Sequence, residues 1–267
     1  MREVRAILFD WGDTLVHYPG YDNDPEGHTA CVSRVFEWMR DEAKRDCFQR
    51  TGTEWPAFLE AYNAVSDAQW SVMDDTARDQ VLSDRLVHTL ARCGCACEMG
   101  EAEVSWLFEH YMRVMVAECY PLPAAAEVVA ALAVDYPLAV VANYPLPEIV
   151  HETLERYGLK EHFAPIVISG AVGRMKPDPL PFEMAMKALD VAPEDVLFVG
   201  DSLKNDMQGA KALGCHTAWL PADPKAPTPR DGSVDIRLGG LLGLLDVFAT
   251  ETPPPDGVTG ALGEGPP

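Results

Sequence analysis

The sequence predicts an α/β fold: a doubly wound parallel sheet, Rossmann-like, with an inserted α-helical cap domain. Three observations predict it. From Pro121 onward, short apolar runs alternate with helix-length segments, the pattern of a parallel sheet covered on both faces. A buried-strand run at residues 4–9 lies far upstream of that alternation, yet has the composition to join the same sheet. Between the two, from about Gly27 to Cys119, no strand pattern occurs.

The first strand is Val4, Ala6, Ile7, Leu8 and Phe9, and it stops at Asp10-Trp11-Gly12-Asp13-Thr14. Residues 17–27, rich in Pro, Gly, Asp and Asn, read as a linker. Trp55, Phe58, Leu59, Tyr62 and Val65 then follow helical spacing, as do Val104, Leu107, Phe108, Tyr111, Met112 and Met115. With segments 28–48 and 82–92 they predict a bundle of about four helices. Next come a helix at 124–134, a strand at 137–142, a helix at 147–157 stopped by Gly158, and a strand at 165–169. A helix at 179–189, a strand at 195–199, a helix at 205–213 stopped by Gly214, and a strand at 215–220 complete the alternation. A last helix is expected at 238–250. Residues 252–267 hold five prolines and four glycines and have little to bury. The expected organisation is a core of residues 1–19 and 121–250, a helical cap of 20–120 and a disordered tail of 251–267.

Acidic residues number 42 and basic residues 21, a net charge of −21. Such a field repels phosphate backbones and anionic membranes, so neither nucleic acid nor a membrane is an expected partner. No apolar run approaches the length of a membrane span, and the first strand is too short and too soon charged to be a signal peptide. A cytoplasmic location is expected. Seven cysteines, an odd number, suit a reducing compartment. Cys93, Cys95 and Cys97 alternate, whereas metal sites favour two intervening residues and a fourth ligand nearby. The triplet reads as a loop after a helix, with buried or idle thiols.

In an open parallel sheet, ligands bind beyond the carboxyl ends of the strands. Asp10, Asn143 and Asp201 each stand at such an end, and Lys176 lies in a further loop. Two carboxylates at adjacent strand ends suit a hard divalent cation such as magnesium. A lysine beside them offsets charge on a bound phosphate, and a carboxylate is able to attack phosphorus and form an aspartyl-phosphate. The plainer alternative is that Asp10 and Asp201 only cap helices.

Four segments carry a family resemblance: Phe9-Asp10-Trp11-Gly12-Asp13-Thr14-Leu15, Val140-Val141-Ala142-Asn143, Gly173-Arg174-Met175-Lys176-Pro177-Asp178-Pro179, and Val199-Gly200-Asp201-Ser202-Leu203-Lys204-Asn205-Asp206. In order and spacing the chain resembles the haloacid dehalogenase (HAD) superfamily of hydrolases, in its phosphatase-like branch with a helical cap after the first motif. The resemblance implies that Asp10 is both nucleophile and magnesium ligand. It implies that the carbonyl of Gly12 and the carboxylate of Asp201 complete the protein's share of the metal shell, with Asp206 supporting it. It implies that Lys176 steadies the nucleophile and the phosphoryl group.

Two departures bear on activity. Most phosphatases of this family carry an acid–base aspartate two places after the nucleophile; here Gly12 stands there and Asp13 follows. Asp13 is therefore a candidate replacement, or a cap for the turn. At Ala142 the family usually has Ser or Thr bonding the phosphoryl group, leaving Asn143 as a candidate substrate contact. Trp11 either lines the substrate entrance or packs under the cap, and His17 reads as a solvated linker histidine. The expected function is magnesium-dependent hydrolysis of small phosphorylated metabolites through an aspartyl-phosphate. The alternatives are a HAD-fold binding or regulatory module with little turnover, or a metal-independent 2-haloacid dehalogenase. A phosphonate hydrolase would need an imine-forming lysine in the cap, where Lys44 is the sole lysine between residues 20 and 120.

Overall fold

A computed structural model of the chain describes residues 4–20, 24–76, 82–95 and 101–249. The tail expected at 251–267 and Cys97 lie outside the described residues. Strand β1 is Ala6–Phe9, every side chain buried, and a two-residue strand β2 follows at Val16–His17. Helices α1 (Pro25–Trp38), α2 (Arg45–Thr51), α3 (Trp55–Thr76), α4 (Leu82–Arg92) and α5 (Glu101–Glu118) form the helical block. The chain returns through β3 (Tyr120–Pro121) and α6 (Ala125–Leu132) to β4 (Leu138–Ala142). Then come α7 (Pro147–Arg156), β5 (Phe163–Ile168), α8 (Ser169–Val172), α9 (Pro179–Leu189) and β6 (Val196–Gly200). The last elements are α10 (Gly209–Leu213), β7 (His216–Trp219), β8 (Ile236–Arg237) and α11 (Gly243–Ala249).

Six strands form one sheet in the order β5-β4-β1-β6-β7-β8, and every pairing in it is parallel. β1 sits between β4 and β6, so the strand earliest in sequence lies at the centre of the sheet. Its burial on both faces explains the unbroken apolar run that predicts it. The strand order reverses at β1, and the crevice at that point, beyond the carboxyl ends of β1, β4 and β6, is where ligands bind in such sheets.

Departures from the sequence expectation are local. The linker after β1 contains β2, which pairs antiparallel with β3, Val16 against Pro121 and His17 against Tyr120. This two-stranded ribbon closes the neck through which the helical block joins the sheet. The helix expected across 28–48 is broken: a π turn at Met39–Ala43 separates α1 from α2, with the Lys44 amide donating to the Met39 carbonyl. Another π turn, Leu203–Gln208, precedes α10, and β8 adds a strand before the last helix. The expectation of idle thiols fails for Cys95, which is joined to Cys47 by a disulfide that ties the segment after α4 to α2. Cys31, Cys93, Cys119 and Cys215 are free thiols.

One apolar core runs from β1 and β4 into the helical block, joining Phe9, Trp11, Phe36, Phe58, Tyr62, Tyr111 and Tyr144. A second cluster, with Phe182, Phe198 and Met207, fills the other face of the sheet.

Candidate active site

Asp10 is the first residue beyond β1; its amide donates to the Val199 carbonyl at 2.8 Å, so the β1–β6 ladder fixes its backbone. Asp201 follows β6 directly, and the Trp219 indole N–H holds its backbone carbonyl at 2.7 Å. Asp206 comes from the π turn, where its Oδ2 accepts the Ser202 amide at 3.0 Å. The close passage of Asp206 explains Gly200. A Cβ at position 200 would lie 2.4 Å from Asp206 Oδ2, inside any tolerable contact.

These three aspartates each offer a carboxylate oxygen, and the three oxygens lie within 4.8 Å of one another. Lys176 reaches the cluster from the loop before α9, with Nζ 2.6 Å from Asp10 Oδ1 and 2.7 Å from Asp206 Oδ1. Its side chain is 1% exposed and passes 5.2 Å from the centre of the Phe198 ring. One lysine thus faces three carboxylates in a buried space. Burial is the main influence on Asp10 and, with the Asp206 charge, raises its pKa to about 7 against the lowering pull of Lys176. Burial also raises Asp201 well above the ordinary carboxylate range, with Asp206, Asp10 and Asp13 adding to it. Lys176 is held above its ordinary value, because Asp10 and Asp206 outweigh the opposing effect of burial.

The donor set fits a hard dication. All three groups are carboxylates; ionised together they carry more negative charge than Lys176 neutralises, and a magnesium ion would balance the difference and favour their ionised forms. Gly12 lies two residues past Asp10, in the turn closed by the Asp13 amide on the Val16 carbonyl at 2.8 Å.

The other candidates have partners of their own. Asn143, expected to touch substrate, has both amide atoms on the Lys176 backbone: Nδ2 donates to the Lys176 carbonyl at 2.8 Å, and Oδ1 accepts the Lys176 amide at 2.7 Å. It clamps the lysine loop. Trp11 is 1% exposed and donates its indole N–H to Thr153 Oγ1 at 3.1 Å, packed in the core that joins the sheet to the helical block. Asp13 has a left-handed backbone, φ 51°, and its Oδ1 lies 2.7 Å from His17 Nδ1. His17 is not a solvated linker residue: it stands in β2 between Asp13 and Asp24, its ring 4.6 Å from that of Tyr120. Arg174 lies 3.6 Å from Asp178, the N-cap of α9, and Lys44 pairs with Glu103 inside the helical block. The residue that sequence reasoning missed is Tyr18, whose ring occupies the space in front of Gly12. A Gly in an otherwise acidic motif signals a close neighbour, but nothing in the sequence names it.

Together, a parallel sheet and a buried acid cluster with a lysine at its strand ends define an α/β enzyme with a cation-ready acidic centre. The family model of haloacid dehalogenase-like hydrolases matches residues 4–214, and the chain belongs to that family. The chain is 40% identical over 119 residues to a phosphoserine phosphatase of Thermus thermophilus, a match covering 43% of this chain and 44% of the relative. It is 35% identical over 116 residues to a phosphoglycolate phosphatase of Escherichia coli, covering 43% of this chain and 45% of the relative. The matches thus span less than half the length of these curated relatives. A 2-haloacid dehalogenase from Pseudomonas syringae has the same fold, with a TM-score of 0.68 at 21% identity over 92% of this chain and 99% of the neighbour. The family is one of hydrolases, and the two curated relatives above carry phosphatase names. No helix among the described residues is long and apolar enough to cross a membrane.

Proposed function

We propose that the protein is a magnesium-dependent phosphatase of small phosphorylated metabolites, acting through an aspartyl-phosphate on Asp10. The observation that carries this reading is the acid cluster: three carboxylates, two of them buried and one half-buried, within 4.8 Å of one another around a single lysine. Such an arrangement is costly to folding and makes sense where a cation and a phosphoryl group complete it. Asp10, Asp201 and the Gly12 carbonyl would hold the ion, with Asp206 supporting them. Bound there, magnesium would neutralise phosphoryl oxygens and favour attack at phosphorus. Asp10 is the nucleophile. Lys176 keeps Asp10 ionised and aimed, and Asn143 keeps Lys176 in place. Water then cleaves the acyl-phosphate. Residues 20–120 act as the cap over this crevice, and the protein works in the cytoplasm.

Gly12 and Ala142 favour one second reading, a HAD-fold binding or regulatory module with little turnover, because both lack the polar group that supports catalysis at those places. The dehalogenase reading leaves the surplus carboxylates without a use.

A screen of phosphorylated metabolites with and without magnesium tests this, with phosphoserine, phosphoglycolate and an aryl phosphate included. Magnesium-dependent release of phosphate is expected for at least one compound, and Asp10→Asn should reduce it by roughly 10⁴-fold or more. Turnover that survives in Asp10→Asn, or that needs no magnesium, overturns the mechanism. Heat stabilisation by beryllofluoride with magnesium, without turnover of any compound, supports the binding module instead.

A further inference from the structure

Gly12 lies two residues past Asp10, and the space that a side chain there would take is filled. A Cβ built at Gly12 would lie 2.5 Å from Tyr18 Cε1, closer than real side chains approach, and a tight 3.1 Å from its Cδ1. The ring cannot move aside easily. It stacks on Trp11 with centroids 5.2 Å apart and planes at 25°, and it meets Tyr144 edge-on at 5.3 Å. Trp11 is in turn pinned by Thr153 and packed against Tyr144 at 5.0 Å. Tyr18 directly follows β2 of the two-stranded ribbon, with the Gly20 amide closing on the Tyr18 carbonyl at 2.9 Å.

We propose that Tyr18 is a specificity-determining residue: its ring takes the volume of an acid at position 12 and gives the leaving group an aromatic wall in place of a proton donor. This deepens the proposed function and rests on it. A phosphate ester breaks with negative charge on the leaving oxygen. An alkoxide needs a proton at that moment, and a positioned acid is typically worth 10²–10⁴-fold. A phenolate or a carboxylate does not need it. The substrates that fit are thus phosphate esters of phenols and acyl-phosphates, and an aromatic leaving group also gains contact with the Tyr18 face.

The test separates the steric claim from the catalytic one. Gly12→Ala adds only a Cβ. In the wild-type background it should lower Tm by about 3–8 °C, the cost of overpacking; in a Tyr18→Ala background it should cost almost nothing. Equal losses in the two backgrounds overturn the proposal, whatever the activity. For catalysis, kcat/KM is measured with magnesium on an aryl and an alkyl phosphate. Gly12→Asp with Tyr18→Ala should narrow the aryl-to-alkyl ratio by roughly 10²-fold, whereas Gly12→Asp alone should not. If Gly12→Asp alone narrows it as far, Tyr18 is no barrier and the proposal falls. If no variant and no wild-type sample hydrolyses any phosphate, the proposed function fails, and the specificity falls with it. The Tm comparison still reports separately on what fills the space at Gly12.

Discussion

Both the helical block and the sheet bury ionised side chains, and they balance them differently. In the helical block Lys44, 6% exposed, meets Glu103, and Arg85, 8% exposed, donates to Gln69 Oε1 at 2.7 Å and lies over the Tyr62 ring. Each of these two cations has a partner of its own, a carboxylate for Lys44 and a neutral amide and a ring for Arg85. At the strand ends one lysine serves three carboxylates, and burial raises two of them far from their ordinary range. A buried cation with its own hydrogen-bonding partner serves the fold, because an unpartnered buried charge is strongly destabilising. A surplus left in place across a strand crossover is maintained for something that binds there. The covalent chemistry divides the same way. The block is tied by the Cys47–Cys95 disulfide, while the sheet's centre relies on the parallel ladder around β1.

The largest effect should come from removing one charge of the surplus. Asp201→Asn keeps the size of the side chain and leaves the backbone carbonyl held by Trp219. Without metal the variant should melt a few degrees above wild type, because a neutral amide avoids the cost of desolvating an acid, and secondarily its repulsion with Asp206 and Asp10. It should also lose stabilisation by magnesium, and turnover should fall on the order of 10³-fold as several kcal/mol of transition-state stabilisation disappears. Differential scanning fluorimetry in chelator and in magnesium reads the first two. A metal-free Tm that drops, as on loss of an ordinary buried partner, would break the contrast between the two regions.

The site was more legible in the sequence than its surroundings. Asp10 and Asp201 stood out at strand ends and Lys176 in a loop, while Asp206 entered only through the family resemblance; the structure brings the four side chains together. The central β1 was readable because burial on both faces leaves an unbroken apolar run. The β2–β3 ribbon was not, since two-residue strands about a hundred residues apart carry no alternation. Asn143 looked like a substrate contact because it stands at a strand end; its actual partner is a backbone 33 residues away. The break at Met39–Ala43 fell inside a helical pattern that an extra residue per turn does not visibly disturb. Cysteine spacing gave no hint that Cys95 finds Cys47, because pairing is set by the packing of α2 against the end of α4.

That disulfide sharpens the comparison from the other side. It joins residues 48 apart, and loop closure of that length is worth about 2–4 kcal/mol. Cys47→Ser should lower Tm by roughly 5–10 °C in the absence of reductant. Turnover of an aryl phosphate at 25 °C should stay within about twofold of wild type. Dithiothreitol should lower the wild-type Tm to the same extent and leave the variant where it is. A large loss of turnover at unchanged stability would mean that the helical block takes part in the chemistry, and the division drawn above would not hold.

The smallest effect is expected at Asp13, between the two regions. Its backbone is left-handed, φ 51°, and its carboxylate is already engaged by His17 at 2.7 Å. Asparagine tolerates that conformation nearly as well as aspartate and keeps a hydrogen-bonding oxygen for the histidine. Asp13→Asn therefore isolates the charge. Because Asp13 adds to the raised pKa of Asp201, its removal slightly eases the acid cluster. A carboxylate tied to His17 is poorly placed to serve a leaving group, so kcat/KM on aryl and alkyl phosphates should each change by less than about threefold. An acid–base role predicts otherwise: alkyl-phosphate turnover would fall by 10²-fold or more while aryl-phosphate turnover held, since only the alkoxide needs the proton. That selective loss would make Asp13 the substitute for the acid missing at Gly12. It would leave Tyr18 as a packing residue, and the wall beside Gly12 would no longer decide which leaving groups are accepted.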